Sequence, residues 1–139
     1  MVVNNFNKIY SKYIENYSIK GPWSLDKKII KKYKFSIIIP CFSESKYIPY
    51  LFDSINKQNQ KLLKKTLVVI VINNLKNSSK DIIQDNNDTI QFLKHVDVQF
   101  DFRYIDACNT NLALDEKIGG VGYARKIGSD LILDYLTNN

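Results

Sequence analysis

The chain has 139 residues, enough for one domain around one modest core, and 45% hydrophobic with 24% charged residues is ordinary for a globular protein. Its apolar runs, at 35–39 and 67–72, are far too short to cross a bilayer, and the Asn-, Tyr- and Lys-rich start lacks the apolar segment of a secretory signal. A net charge of +6 permits attraction to phosphates or anionic lipid, but the lysines are spread through 8–34 and 57–94 with no nucleic-acid motif beside them, which argues against nucleic acid. The expected location is cytoplasmic, with peripheral membrane contact left open.

Phe6, Ile9, Tyr10, Tyr13 and Tyr17 fall at helical spacing and predict an amphipathic helix over Asn5 to Tyr17. Gly21 and Pro22 break it. A second short helix is expected from Leu25 to Lys32, with Ser24 as its cap. "FSIIIP", Phe35 to Pro40, reads as a strand buried on both faces, because its apolar run is continuous rather than alternating. A helix follows over Lys46 to Gln58, with Ser43 or Ser45 to cap it and Pro49 in its first turn.

"TLVVIVI", Thr66 to Ile72, is the second buried strand, ending in Asn73 and Asn74. One or two helical turns lead to a helix over Asp88 to His95, capped by Asp88. Val98 to Asp106 alternates and predicts a third strand nearer an edge. The last helix, Val121 to Leu136, would bury Val121, Ala124, Ile127, Leu131 and Tyr135. Strand and helix alternate, which is the pattern of an α/β open sheet with right-handed crossovers.

Cys41 and Cys108 form neither a disulfide framework nor a zinc spacing and read as small buried thiols. His95 stands alone at a helix end, where a cation is favoured. "GGVGYARKIGSDLIL", from Gly119, is the most distinctive stretch. It is no dinucleotide fingerprint, because Arg125 stands where the third glycine belongs and over ten residues separate it from the strand. It is no Walker loop either. What remains is a helix N-terminus with Arg125 and Lys126 one turn in, an arrangement that favours a phosphate nearby.

Ligands of open α/β sheets bind outside the carboxyl ends of the strands, and those ends carry "PCFSE", "NN" and "IDA". "SIIIPCFSESKYIPYLFDSI", "VVIVINN" and "IDAC" followed by "GGVGYARKIGSDLIL" resemble, in this order, the first strand and helix, the second strand and the Gly-Val-Gly-x-Ala-Arg helix of the GT-A fold glycosyltransferases of family 2. The resemblance runs from Phe35 to about Leu136. It implies a Rossmann-like, three-layer, mostly parallel open sheet, a partial GT-A nucleotide-sugar-binding domain over 35–139 with an N-terminal helical extension over 1–34.

The resemblance also implies a site for a nucleotide-diphospho-sugar donor. Pro40, Phe42, Ser43 and Glu44 match the segment that contacts nucleobase and ribose, with Glu44 accepting from base or ribose donors. Asn73 and Asn74 match the polar pair that reads the base, although the family has a carboxylate there. Arg125 and Lys126 match helix residues near the diphosphate, where Asn is commoner than Lys after the Arg. The resemblance further implies a strand order in which the first and third strands flank the second. Cys41 and Cys108 would then lie about 10 Å apart, too far for a disulfide.

The family's Asp-x-Asp metal motif has no match after Gly120, since Asp130 and Asp134 are four apart on one helix. Mn²⁺ or Mg²⁺ is expected for a full-length relative and no cofactor for this chain, which the resemblance makes catalytically inactive alone. The sequence reads as a fragment of a longer or split reading frame, with an apolar edge exposed along Phe35 to Ile39 and covered by the N-terminal helix, a partner chain or a dimer. A non-catalytic nucleotide-binding or assembly module completed by a partner chain is the alternative. A basic domain for nucleic acid or membrane surface is the third possibility.

Overall fold

The structure, a computed structural model, describes residues 2–137. Three strands, β1 (Phe35–Cys41), β2 (Thr66–Asn73) and β3 (Asp101–Ala107), form one parallel sheet in the order β1-β2-β3. Helices α1 (Val2–Asn16), α2 (Ile48–Asn56), α3 (Gln60–Leu63), α4 (Lys80–His95) and α5 (Val121–Ile132) surround it, and a 3₁₀ turn (Leu133–Tyr135) follows α5. The α/β class and the parallel sheet expected from the sequence are present.

β2 is the centre of the molecule. Leu67 to Ile72 have no solvent exposure, and each such side chain contributes about 1.5–3 kcal/mol of transfer free energy, before the entropy cost of ordering it. Alternate residues feed two cores. Val68, Ile70 and Ile72 pack with α2, α3 and α4 around Phe52, whose ring meets Phe92, Phe100 and Phe102 edge-on at 5.1–5.7 Å. Leu67, Val69 and Val71 pack with α5 on the other face. There Gly128 lets the helix approach closely: a Cβ at that position would lie 2.7 Å from Ile38 Cγ2 and 2.9 Å from Val71 Cγ2.

Several sequence expectations are corrected. No helix forms over Leu25 to Lys32. Leu25 bridges Ile105 antiparallel, Asp26 exchanges hydrogen bonds with Tyr104 in both directions, and the Arg103 guanidinium donates to the carbonyls of Lys27 and Lys28. Pairing with β3 outcompetes local helix propensity, and the chain then turns under the sheet to bury Ile29 and Tyr33 against the α5 core. β1 is not buried on both faces, because it is an edge strand; Phe35 and Ile37 are 45% and 43% exposed.

α4 is one continuous helix capped by Ser79, whose hydroxyl accepts from the Ile82 N–H, and Asp88 lies inside it, accepting from Gln84. Lys94 and His95 occupy its last turn, where positive charge suits the helix dipole. α2 begins at Ile48 with no side-chain cap, so Ser43 and Ser45 do not cap it, while Pro49 does sit in its first turn. β3 starts at Asp101 rather than Val98. On α5 the buried residues are Ala124, Ile127, Gly128 and Ile132, and Val121 is 54% exposed.

Candidate functional site

The carboxyl ends of β1 and β2 and the N-terminus of α5 enclose a crevice of about 450 Å³. Pro40, Phe42, Glu44, Asn73, Asn74, Leu75, Gly120 and Val121 line it. The site lies where it does because of local chemistry at three chain segments. Pro40 and Cys41 end β1, and the chain then turns through Ser43 at φ +52°, in the left-handed region. Thr66–Asn73 runs as a fully buried strand until the two asparagines. Gly120, at φ +119°, supplies the turn into α5 that a side chain would resist.

The turn after β1 is held from α4. Asn86, fully buried, accepts from the Ser43 N–H at 2.9 Å through Oδ1 and donates through Nδ2 to Asn73 O and Asn74 Oδ1, at 3.1 and 2.8 Å. Its neighbour Asp85 accepts from both the N–H and the hydroxyl of Ser45, at 3.0 and 2.8 Å. The two strand ends that form the crevice are thereby tied to one helix. Sequence reasoning missed both residues. The signal for Asn86 was available: Asn86, Thr89, Ile90 and Leu93 share the helical spacing of one buried stripe.

The asparagines differ in what they leave free. Asn74 donates to Leu75 O and Cys108 O and accepts from Asn86, so its amide is committed to the scaffold. Asn73 donates to Cys41 O and Val71 O, and no described residue donates to its Oδ1. Phe42 is 48% exposed and Glu44 is also exposed, so a planar apolar face and a carboxylate stand at the rim of the crevice.

The basic pair on α5 separates. Arg125 is exposed and pairs with no described residue, but it is not among the groups lining the crevice. Lys126 turns away. It donates to Tyr13 Oη, Tyr17 O and Asp130 Oδ2, tying α1 to α5. Asp130 is 4% exposed at its side chain and also accepts from Tyr13 Oη and the Ile19 N–H. Burial pushes its carboxyl up, but these hydrogen bonds outweigh burial and hold it below the ordinary carboxylate value. Ser43 serves through its backbone. Thus the structure gathers Pro40, Phe42, Glu44, Asn73 and Asn74 at one crevice and assigns Lys126 to the scaffold.

At the end of β3, burial likewise raises the Asp106 carboxyl, and hydrogen bonds from Asn109 Nδ2, the N–H groups of Cys108 and Asn109 and the Cys108 thiol bring it below its ordinary value. Cys41 and Cys108 are both free and buried, and β2 separates their strands as the expected order requires. Burial, together with Glu44, pushes the Cys41 thiol up to about 11; burial and Asp106 push Cys108 up as well.

Among the described residues no group of three or more His, Cys, Asp or Glu side chains converges on a point. Glu44 is the single carboxylate lining the crevice, too little for a hard divalent cation that takes several oxygen ligands. No helix of the described residues is long and apolar enough to cross a membrane. No protein-family model, curated protein or solved structure matches the chain.

Proposed function

We propose that this chain binds the nucleoside diphosphate portion of a nucleotide-sugar donor in the crevice between β1, β2 and α5, as the donor-binding part of a family 2-like glycosyltransferase. The observation that carries the proposal is the meeting of Glu44, Asn73 and the Gly120–Val121 entry to α5 around one crevice at the carboxyl edge of a parallel sheet. Phe42 offers a face on which a base stacks, and Glu44 and Asn73 Oδ1 offer acceptors for base or ribose donors. The first-turn N–H groups of α5, at the positive end of the helix, suit a phosphate, with Arg125 one turn further on. Asn74 and Lys126 act as scaffold in this mode. The resemblance puts transfer chemistry on an Asp-x-Asp motif that has no match after Gly120, and binding without turnover is the reading proposed for this chain.

Calorimetric titration with UDP, GDP and their sugars tests the proposal. Saturable binding that weakens in Phe42→Ala and Glu44→Ala, and that is unchanged by Mn²⁺ or Mg²⁺, is the expected result. No saturable binding to any of these ligands, with or without metal, removes it. The edge of β1, flanked among the described residues only at its start by the bridge from Tyr33 to Leu136, favours a second mode of use, a non-catalytic nucleotide-binding module completed by another chain, which recovery of transfer on adding that chain would identify.

A further inference from the structure

The net charge of the chain is segregated. Residues 1–34 hold eight lysines against Glu15 and Asp26, a net +6, whereas the twelve basic and twelve acidic residues of 35–139 cancel. Five of those eight lysines fall within 27–34, "KKIIKKYK", and the fold decides where they go.

This segment crosses beneath the amino ends of all three strands. Arg103 of β3 donates to the Lys27 and Lys28 carbonyls. The Lys31 ammonium meets Asp101 at the start of β3 and the Lys64 carbonyl just before β2, and Phe35 opens β1. Ile29 and Tyr33 are the buried anchors of the segment, so its five lysines are left exposed. At the same end, α3 and the turn after it add Lys61, Lys64 and Lys65, also exposed, and the Lys65 carbonyl accepts from the Lys34 and Phe35 N–H groups. Of these eight ammonium groups only that of Lys31 is in an ion pair among the described residues, and the Asp97 and Asp134 carboxylates pair with none of them.

Large apolar side chains stand among the lysines. Ile30 is 96% exposed between Lys28 and Lys31, Leu62 is 56% exposed between Lys61 and Lys64, and Phe35 follows Lys34 at 45%. We propose that this end of the sheet docks on an anionic lipid surface, with the ammonium groups among the charged headgroups and Ile30 and Leu62 reaching the acyl boundary. Clustered lysines gain from the negative potential of such a leaflet, and aliphatic side chains gain only where an apolar layer lies beneath the charges. A nucleic acid fits this end less well. It gives Ile30 and Leu62 no apolar layer, and it is held by arginine and by rings on which bases stack. Here the Arg103 guanidinium is committed to main-chain carbonyls.

The nucleotide crevice lies at the opposite, carboxyl ends of the strands, which at seven or eight residues puts it about 20–25 Å away. On a docked chain it opens away from the bilayer, and the two proposals stand or fall separately.

Co-sedimentation of the full chain with vesicles of phosphatidylcholine and phosphatidylserine reads the result. Binding to these vesicles, with none to phosphatidylcholine alone and weakening as salt rises, is expected. Lys27→Gln combined with Lys28→Gln should weaken it about 30-fold, at about five-fold per lysine, and Ile30→Ser should weaken it about ten-fold. All three side chains are exposed, so circular dichroism and thermal unfolding should keep their native form. Lys46→Gln combined with Lys80→Gln makes the same change of charge at exposed lysines on the carboxyl side of the sheet and should leave binding as it was. The proposal is overturned by absence of binding to the mixed vesicles, by an equal loss in the Lys46 and Lys80 pair, or by unchanged binding in Ile30→Ser. Tighter binding to RNA or polyglutamate than to vesicles, lost on replacing Lys27 and Lys28, overturns it too.

Discussion

Asn86 Nδ2 lies 2.8 Å from Asn74 Oδ1, joining a fully buried side chain of α4 to the carboxyl end of β2. The same side chain reaches Ser43 in the loop after β1. One amide therefore sets the distance between the two walls of the crevice. Replacing it strands the Asn74 Oδ1, the Asn73 carbonyl and the Ser43 N–H without their partner. Asn86→Leu is expected to cost about 2–4 kcal/mol and to weaken nucleotide binding with it. A urea unfolding midpoint equal to that of the parent would contradict this.

Three carboxylates, Asp101, Asp106 and Asp130, are held below their ordinary pKa. In each, burial pushes upward and hydrogen bonds or nearby cations more than offset it. A depressed folded-state pKa means that the unfolded chain binds more protons in the acid range, so stability rises with pH there. The contribution is complete above the unfolded value of about 4 and is lost as pH falls through the folded values. Unfolding free energy should thus hold steady from neutrality to mild acid and drop below about pH 4. Asp106→Asn should flatten that drop. A steeper acid limb in the variant would reverse the sign of this account.

Both thiols are expected to be inert in the folded protein. Burial keeps Cys41 at about 11 and raises Cys108 too, so the reactive thiolate is scarce at neutral pH. Labelling by iodoacetamide should follow the rate of unfolding rather than reagent concentration. Rapid modification of either cysteine in native buffer would show that the strand ends open more readily than the packing implies.

Two glycines of the Gly119 stretch should fail for different reasons. Gly128→Ala places a methyl group against Ile38 and Val71 and should cost about 1–3 kcal/mol by overpacking. Gly120→Ala meets no neighbouring atom but forces φ +119° on a residue with a side chain, for a strain of about 1–3 kcal/mol. Gly120→Ala should also reduce nucleotide affinity, since it sits in the crevice, and Gly128→Ala should not. Thermal melts and calorimetry on the pair separate packing from site.

Arg125 and Lys126, adjacent in sequence, should separate in the same way. Lys126→Ala removes the links to Tyr13, Tyr17 and Asp130 and should expose the α1 region to limited proteolysis with nucleotide affinity unchanged. Arg125→Ala should lower affinity for the diphosphate and leave the proteolysis pattern as it was. Equal effects of the two variants on affinity would place both side chains at the ligand.

The sequence alone determined the parallel strands and the helices of highest periodicity, because an unbroken run such as Leu67 to Ile72 has no stable place except between two covered faces. It also located Pro40 and Asn73 at the strand ends that line the crevice, since ligands of open α/β sheets bind outside the carboxyl ends of the strands. What only the tertiary structure decided was where competing partners lay. Leu25 to Lys32 has helical spacing, yet β3 offered it an edge to pair with. Lys126 and Arg125 look alike as cations, yet only one faces Asp130. Asn86 is an unremarkable polar residue in a helix until three hydrogen-bonding groups from distant segments converge on it. Local periodicity records which face a residue takes, whereas a side chain's role depends on groups that folding brings from far along the chain.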